Sequence, residues 1–311
     1  MNGTTEFPPD SITVIGFGLM GAQISQVLAL SGFRVSAYDV NGELLKKGLD
    51  LIRLGKYGLE AAVSKSRITR EEADKALARI STCASMEKAL DHAQFLLEAA
   101  VENLKIKQSI FAKAAELADP GVVLASNTST LSIAQIGGAL RPKLQSRLAG
   151  MHFFNPPQVM KLVEVVRTRK TANDVIERIQ SVSHRIGKTP VLVKDYPGFV
   201  ANRIGISVFA EASELLELGV ANVRDIDLSM KLGYGYPVGP FELGDLVGLD
   251  ARLRNMKALY IQTKDKRFRP PKILRKLVSA GYLGDPKLKP GSRGGYYEYY
   301  GLKRPSEDHL P

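Results

Sequence analysis

The 311-residue sequence contains a single cysteine, Cys83, which excludes an internal disulfide framework and is typical of a reducing compartment. It has no apolar run of about 18 residues, so no transmembrane helix is predicted and no membrane partner is expected. The N-terminal stretch MNGTTEFPPD has neither a basic region nor an apolar one, so no signal peptide is predicted. Together these absences favour a cytoplasmic protein.

Positive charge is concentrated near the C-terminus: the net charge is +11, and residues 251–311 supply most of it. A basic segment can attract nucleic acid, a membrane surface or a polyanionic substrate. The sequence has no paired CxxC motifs, no helix-turn-helix signature and no stacked aromatic pattern of the RNA-binding kind, so nucleic acid is not an expected partner. A solvated helical surface is the simpler interpretation of this charge.

The pattern of apolar residues changes near Lys194. Over residues 1–194, short β-branched runs alternate with amphipathic helices, with a helical excursion at about 42–80. This predicts an α/β domain of the Rossmann type, a doubly wound and mostly parallel sheet. Residues 195–311 begin with proline and glycine and then show amphipathic segments without a strong strand, which predicts an all-α C-terminal domain.

The stretch GFGLMG follows the first predicted strand and opens a predicted helix, with Gly16, Gly18 and Gly21 in G-x-G-x-x-G spacing. In a dinucleotide-binding turn, the first glycine permits the tight turn and the second lets the backbone approach a pyrophosphate. The third allows the helix to pack on the strand. The phosphates would face the helix N-terminus, where Leu19 and Met20 lie.

Asp39 ends the second predicted strand, about 20 residues after the glycine turn. An acid at this place can bond a ribose 2′-hydroxyl and repels a 2′-phosphate, so NAD is the expected cofactor rather than NADP. The alternative is an ordinary tight turn with Asp39 as a loop cap.

The stretch HFFNPPQVMKLVEVV places Glu164 inside a strand that reads as buried, twelve residues after His152. A carboxylate in such a strand is costly unless a positive or hydrogen-bonding group meets it. A histidine that acts as a base needs a group that orients its ring. The two residues are therefore a plausible pair, but a loop histidine and a sheet-edge glutamate would fit the spacing too.

Six motifs together resemble the L-3-hydroxyacyl-CoA dehydrogenase family, in its 3-hydroxybutyryl-CoA dehydrogenase branch, from about Ile12 to Tyr300. They are GFGLMG, EAAVENLKIK, ASNTSTLSI, GMHFFNPPQVMKLVEVV, KDYPGFVANR and KLGYGYPVGPFELGDLVGLD. The resemblance implies NAD-dependent, reversible oxidation of a short-chain (S)-3-hydroxyacyl-CoA to the 3-ketoacyl-CoA, as in fatty acid metabolism. It also implies a homodimer formed through the helical domain. Spacing and periodicity alone predict only a dinucleotide-binding oxidoreductase.

The resemblance assigns roles to individual positions. It makes His152 the catalytic base and Glu164 the residue that fixes its tautomer. Ser129 would hydrogen-bond the reacting oxygen beside the cofactor, Asn202 would contact the substrate from the helical domain, and Asn155 would contact the cofactor. Without the resemblance, Ser129 reads as part of a turn cluster, Asn202 as an interhelical hydrogen bond and Asn155 as a pre-proline turn residue.

Four charged residues complete the expected site. Glu102 and Lys107 match family positions that contact NAD, although their spacing alone would suggest a solvated pair. Lys56 and Lys65, on the helical excursion, are candidates for the phosphates of coenzyme A. No metal site is expected.

Other functions remain open from the sequence. An L-gulonate-type dehydrogenase shares the PGF…NR segment and a His–Glu pair. A non-catalytic dinucleotide-binding protein would not need Ser129, His152, Glu164 and Asn202 together. A hydratase–dehydrogenase fusion is not expected, because 311 residues leave no room for a second enzyme.

Overall fold

The computed structural model describes residues 10–304. The chain divides into two compact units between Tyr196 and Pro197, close to the predicted boundary. Within the described residues, no helix is long and apolar enough to cross a membrane.

The first unit is built on one eight-stranded sheet with the order β3-β2-β1-β4-β5-β6-β7-β8. All neighbouring strands are parallel except β6 and β7, which are antiparallel. The predicted Rossmann-type, mostly parallel sheet is therefore confirmed. The strands are β1 (Ser11–Ile15), β2 (Arg34–Tyr38), β3 (Ile80–Cys83), β4 (Phe95–Glu98), β5 (Val123–Ser126), β6 (Leu148–Phe153), β7 (Leu162–Arg167) and β8 (Thr189–Lys194).

Eight α-helices accompany this sheet within the described residues, with a 3₁₀ turn at Pro142–Arg147. They are α1 (Leu19–Leu30), α2 (Gly42–Leu54), α3 (Leu59–Ser64), α4 (Arg70–Ala78), α5 (Met86–Leu90), α6 (Leu104–Leu117), α7 (Ile133–Gly137) and α8 (Asn173–Arg185). The excursion predicted at about 42–80 corresponds to α2, α3 and α4. Helix α4 begins with a capping box, because Thr69 and Glu72 accept hydrogen bonds from each other's backbone N–H groups.

Most of the strands that carry the candidate site run in one direction; β7, which bears Glu164, is antiparallel to them. The strands β1, β2, β4, β5 and β6 are mutually parallel, so their carboxyl ends lie along the same edge of the sheet. Strands β4 and β5 are buried along their whole length and end in Glu98 and Ser126, two polar side chains without exposed surface. Ligands of open α/β sheets bind along this edge.

The second unit is helical, and its strand-type pairing within the described residues is a single bridge between Gly284 and Gly294. Its core contains the rings of Phe209, Phe241 and Tyr296, which pack with centroids 4.5–6.1 Å apart. Its helices are α9 (Ala201–Glu217), α10 (Val223–Tyr234), α11 (Pro240–Val247), α12 (Leu249–Thr263), α13 (Lys272–Ser279) and α14 (Tyr296–Tyr299), with a 3₁₀ turn at Lys266–Phe268.

Candidate active site

The three glycines after β1 differ in what surrounds them. Gly16 has φ of +90°, and a Cβ built there would lie 2.6 Å from the amide nitrogen of Ala100. A Cβ on Gly21 would overlap the carbonyl oxygen of Gly16, whereas a Cβ on Gly18 would meet nothing within 4 Å. The first and third glycines are therefore required by the fold, while the second faces open space. An open, side-chain-free backbone is what a pyrophosphate needs for close approach.

Helix α1 begins directly after this turn, at Leu19. Its N-cap is Gly18, which has no side chain to satisfy the first N–H groups, and the first turn carries no acidic residue. The first backbone bond within the helix runs from the Ala22 N–H to the Gly18 carbonyl, at 2.9 Å. The N–H groups at the start of α1, including those of Leu19 and Met20, therefore have no helical partner and can receive an anion.

Asp39 follows β2 and is tied to the glycine turn. Its Oδ2 accepts a hydrogen bond from the Phe17 N–H at 2.8 Å. The Phe17 ring is fully buried and packs against Gly48 of α2, where a Cβ would overlap it. The bulk of Phe17 therefore points into the core, and the half-buried carboxylate of Asp39 stays beside the turn, where a ribose hydroxyl would lie.

His152 and Glu164 face each other across the antiparallel strands β6 and β7, where they are direct register partners. The His152 Nδ1 lies 2.9 Å from the Glu164 Oε2, and the two residues are 4% and 1% exposed. Asn127, which follows β5, accepts the backbone N–H of Phe153 through its Oδ1 at 2.8 Å. Asn127 was not predicted from the sequence, although its position directly after a buried strand was a signal.

A turn of three hydroxyl residues presents Ser129 at the end of β5. The Oε1 of Glu102 accepts the Thr128 hydroxyl at 2.7 Å and the backbone N–H groups of Ser129 and Thr130 at 3.0 and 3.1 Å. Burial pushes the pKa of Glu102 up, but the charge of Lys107 and these hydrogen bonds outweigh it and hold the pKa below its usual value. The ionised carboxylate therefore organises the turn that carries Ser129.

Lys107 is buried, which excludes the alternative that spacing alone would suggest, a solvated pair with Glu102. Its side chain is 1% exposed, and its Nζ lies 2.6 Å from the Oε1 of Glu98 and 3.4 Å from the Oε2 of Glu102. Glu98 is itself fully buried. Glu98 was not predicted as a member of the site, although a carboxylate at the end of an apolar strand was an available signal.

The remaining predicted residues lie on exposed or separate elements. Asn155 is exposed after β6, where its peptide bond to Pro156 is cis. Lys56 and Lys65 are exposed in the excursion. Lys56 follows α2, with its Nζ 5.5 Å from the Tyr57 ring centroid, and Lys65 is the C-cap of α3. Asn202 lies in the first turn of α9, in the second unit. Their expected contacts stay predictions.

Over residues 10–304, no three His, Cys, Asp or Glu side chains are grouped so that they could hold a metal ion.

Family models match both units of the chain. The model described as 3-hydroxyacyl-CoA dehydrogenase, NAD binding domain, matches residues 11–196. The model described as 3-hydroxyacyl-CoA dehydrogenase, C-terminal domain, matches residues 198–296.

Individual relatives agree with these models over nearly their whole length. The probable 3-hydroxybutyryl-CoA dehydrogenase of Bacillus subtilis is 40% identical, covering 93% of this chain and 96% of its own. The mitochondrial hydroxyacyl-coenzyme A dehydrogenase of Sus scrofa is 39% identical, covering 93% and 90%. The structure of (S)-3-hydroxybutyryl-CoA dehydrogenase from Ralstonia eutropha matches with a TM-score of 0.83 at 35% identity, covering 90% and 97%.

Proposed function

The chain belongs to the 3-hydroxyacyl-CoA dehydrogenase family, and we propose that its substrates are short-chain (S)-3-hydroxyacyl-CoA thioesters such as 3-hydroxybutyryl-CoA. It is an NAD-dependent oxidoreductase that interconverts a 3-hydroxyacyl-CoA and the 3-ketoacyl-CoA. The preference for a short acyl chain rests on the relatives that are named 3-hydroxybutyryl-CoA dehydrogenases. The observation that carries the proposed chemistry is the buried pair of His152 and Glu164.

We propose that His152 is the base of the reaction. Its Nδ1 is engaged by Glu164, so the proton of the substrate hydroxyl would be taken up at Nε2. The Glu164 carboxylate would accept the Nδ1–H, keep the ring in the tautomer that leaves Nε2 as the acceptor, and stabilise the imidazolium once it forms. In the reverse direction, the same Nε2 would return a proton to the oxygen on C3.

Ser129 and Asn202 are proposed to hold the reacting oxygen and the acyl group. Ser129 follows β5, the neighbour of the strand that bears His152, and Glu102 fixes the backbone of its turn. Asn202 matches the family asparagine of the PGFVANR segment. A hydroxyl and an amide are suited to polarising a carbonyl without competing for the proton.

The NAD cofactor would accept the hydride from C3 of the substrate. The residues that fit it are the glycine turn with the start of α1 for the pyrophosphate, and Asp39 for the adenosine ribose. Asn155, Glu102 and Lys107 are proposed to contact or support its nicotinamide half.

For coenzyme A, we propose that Lys56 and Lys65 meet the phosphates. Both are exposed amines on the helical excursion, where a flexible cation can reach a mobile ligand.

We further propose that the protein is a homodimer, with α9 at the interface. Several large apolar side chains of the second unit are exposed, among them Ile204 (59%), Leu218 (70%) and Leu232 (83%). Sedimentation of the wild type against Ile204→Asp tests this, with Leu117→Asp on α6 as the matched control. A wild type that sediments as a monomer at micromolar concentration would contradict it.

The function is tested by NADH consumption with acetoacetyl-CoA, with His152→Ala beside the wild type. We expect turnover that falls ~10²-fold or more in the variant. Oxidation of L-gulonate without reduction of acetoacetyl-CoA would show that the L-gulonate-type alternative is right. NADH binding without turnover of either substrate would indicate a non-catalytic protein.

A further inference from the structure

A second carboxylate, Glu98, lies beneath the proposed site and plays no part in the chemistry described above. It ends β4, is fully buried, and receives three hydrogen bonds. Its Oε1 accepts the Lys107 ammonium and the Ala100 N–H, each at 2.6 Å, and its Oε2 accepts the Ser126 hydroxyl at 2.7 Å. A buried carboxylate with three hydrogen-bond donors holds those three groups in fixed positions.

On one side, this network of hydrogen bonds extends to Ala100, which contacts the glycine turn after β1. The Ala100 N–H donates to Glu98, and the Ala100 carbonyl accepts the Lys107 Nζ at 3.2 Å. The backbone of Ala100 is also the wall that a Cβ on Gly16 would strike. The Glu98–Lys107 pair therefore holds the backbone of Ala100 in place, and the glycine turn packs against that backbone.

The other side leads to Ser129 by two routes. Lys107 bridges Glu98 and Glu102, and Glu102 accepts the N–H groups of Ser129 and Thr130. Independently, the Ser126 hydroxyl donates to Glu98 and accepts the Thr128 N–H at 3.3 Å. The Glu98 carboxylate is therefore connected to the Ser129 turn in two ways: through the charged groups of Lys107 and Glu102, and through the neutral Ser126 hydroxyl.

We infer that Glu98, with Lys107 and Ser126, is a positioning residue that sets the cofactor turn and the Ser129 turn relative to one another. This inference rests on the proposed function for the role of Ser129. Stability alone does not explain the pair, because buried ion pairs are often replaced by apolar side chains of similar volume without loss of stability. An apolar replacement cannot supply the directed hydrogen bonds that Glu98 and Lys107 make to the backbone of Ala100 and to the Ser126 hydroxyl.

The decisive variant is Glu98→Met/Lys107→Met, compared with Lys107→Met, Ser126→Ala and the exposed control Lys105→Met. The measurements are the thermal midpoint, the Kd for NADH by fluorescence, kcat and KM for acetoacetyl-CoA, and the deuterium isotope effect with NADH labelled at the transferred hydrogen. If the Glu98–Lys107 pair only stabilised the fold, these substitutions would change the thermal midpoint and none of the other quantities.

Lys107→Met should lower the thermal midpoint, because it leaves two carboxylates without their cation. The double variant should recover most of that loss, yet bind NADH ~10-fold more weakly and turn over ~10-fold more slowly, with a larger isotope effect on kcat. Ser126→Ala should keep the NADH affinity and lower kcat/KM for acetoacetyl-CoA ~5-fold, since its route leads only to the Ser129 turn. Lys105→Met should behave as the wild type.

A double variant with wild-type NADH affinity and turnover would overturn the inference. If the double variant does not fold, unchanged kcat/KM in Ser126→Ala would overturn it in the same way. Should the wild type fail to reduce acetoacetyl-CoA, the proposed function falls, but the NADH affinities of the variants still test whether the Glu98–Lys107 pair positions the cofactor turn.

Discussion

The Nδ1 of His152 lies 2.9 Å from the Oε2 of Glu164, and the sheet itself brings the two side chains together. They are opposite one another in the register of β6 and β7. Directly opposed residues on antiparallel strands have Cβ atoms about 5 Å apart, so the contact needs no loop to close. His152 and Glu164 are twelve residues apart because the hairpin between β6 and β7 brings the chain back to the register position opposite His152.

This geometry predicts the behaviour of Glu164→Gln. The amide keeps the size of the side chain but can donate to Nδ1, which would place the ring proton on Nε2 and remove the base. We expect kcat for the oxidation of 3-hydroxybutyryl-CoA to fall ~10²-fold or more, with a smaller change in KM. Steady-state kinetics across pH 6–9 is the measurement. Glu177→Gln, an exposed change on α8, is the control, and a loss below 3-fold in Glu164→Gln would argue against an orienting role.

Cofactor choice is predicted to depend on the charge of Asp39. Asp39→Asn keeps an oxygen that can accept the Phe17 N–H but removes the charge that repels a 2′-phosphate. The ratio of kcat/KM for NADH to that for NADPH should fall ~10-fold or more, which corresponds to ~1.4 kcal/mol. Asp50→Asn, an exposed change on α2, should leave the ratio unaltered. An unchanged ratio in Asp39→Asn would mean that other groups select the cofactor.

Two glycine-to-alanine changes of equal size should have opposite effects. Gly18→Ala adds a methyl group in open space, so it should keep the thermal midpoint and weaken NADH binding ~10-fold or more. Gly21→Ala overlaps the Gly16 carbonyl, so it should lower the free energy of unfolding by about 2 kcal/mol through overpacking. Thermal denaturation and NADH titration of both variants give the comparison. Equal loss of stability in the two would contradict the distinction.

The sheet and the glycine turn could be predicted because they depend on local patterns. Buried parallel strands read as continuous apolar runs, and the glycines follow β1 at fixed spacing. Strand β3 was not predicted, because its sequence, ISTC, has exposed polar residues at its centre. The strand lies at the edge of the sheet, so it has no continuous apolar run that would identify it.

The electrostatics of the site could be predicted only in part. His152 and Glu164 share one hairpin, so their pairing follows from strand register. Spacing alone favoured a solvated Lys107, because helical spacing does not bring it onto one face with Glu102, and only the family resemblance pointed to a role in the site. Lys107 instead bridges Glu102 and Glu98. Glu98 ends β4, a different element, and only the folded sheet brings that carboxylate to Lys107.

The proposed coenzyme A contacts predict a substrate-dependent effect. Lys56→Ala and Lys65→Ala should each raise KM for acetoacetyl-CoA ~3- to 10-fold, because an exposed cation contributes modestly to binding a phosphate. Neither should change KM for the acetoacetyl thioester of N-acetylcysteamine, which lacks the phosphates. Lys143→Ala, far along the chain on an exposed 3₁₀ turn, is the control. Equal effects on both thioesters would place the lysines outside the phosphate site.

Two buried aspartates of the second unit predict how stability depends on pH. Asp227 accepts the N–H groups of Phe241 and Glu242 at the start of α11, and Asp245 accepts those of Tyr296 and Tyr297 at the start of α14. Burial outweighs these hydrogen bonds and raises the pKa of Asp227 to about 6 and the pKa of Asp245 to about 7.

A carboxyl group whose pKa is raised by folding binds its proton more tightly in the folded state. Its stabilising contribution is complete below the unfolded pKa of about 4 and is lost as the pH rises through the folded pKa. The free energy of unfolding should therefore decrease between pH 5 and pH 8, by about 2–4 kcal/mol for the two groups together. Groups with lowered pKa, such as Glu102, act in the opposite direction only at lower pH, near and below about 4.

Urea unfolding of Asp245→Asn isolates this effect. The amide is neutral at every pH and can still accept the Tyr296 N–H, so the decrease between pH 5 and pH 8 should be smaller than in the wild type. Asp50→Asn should keep the wild-type slope, because Asp50 is exposed on α2. Equal slopes in Asp245→Asn and the wild type would show that Asp245 stays ionised in the folded state down to pH 5, with its helix N-terminus and the nearby Arg304 outweighing burial.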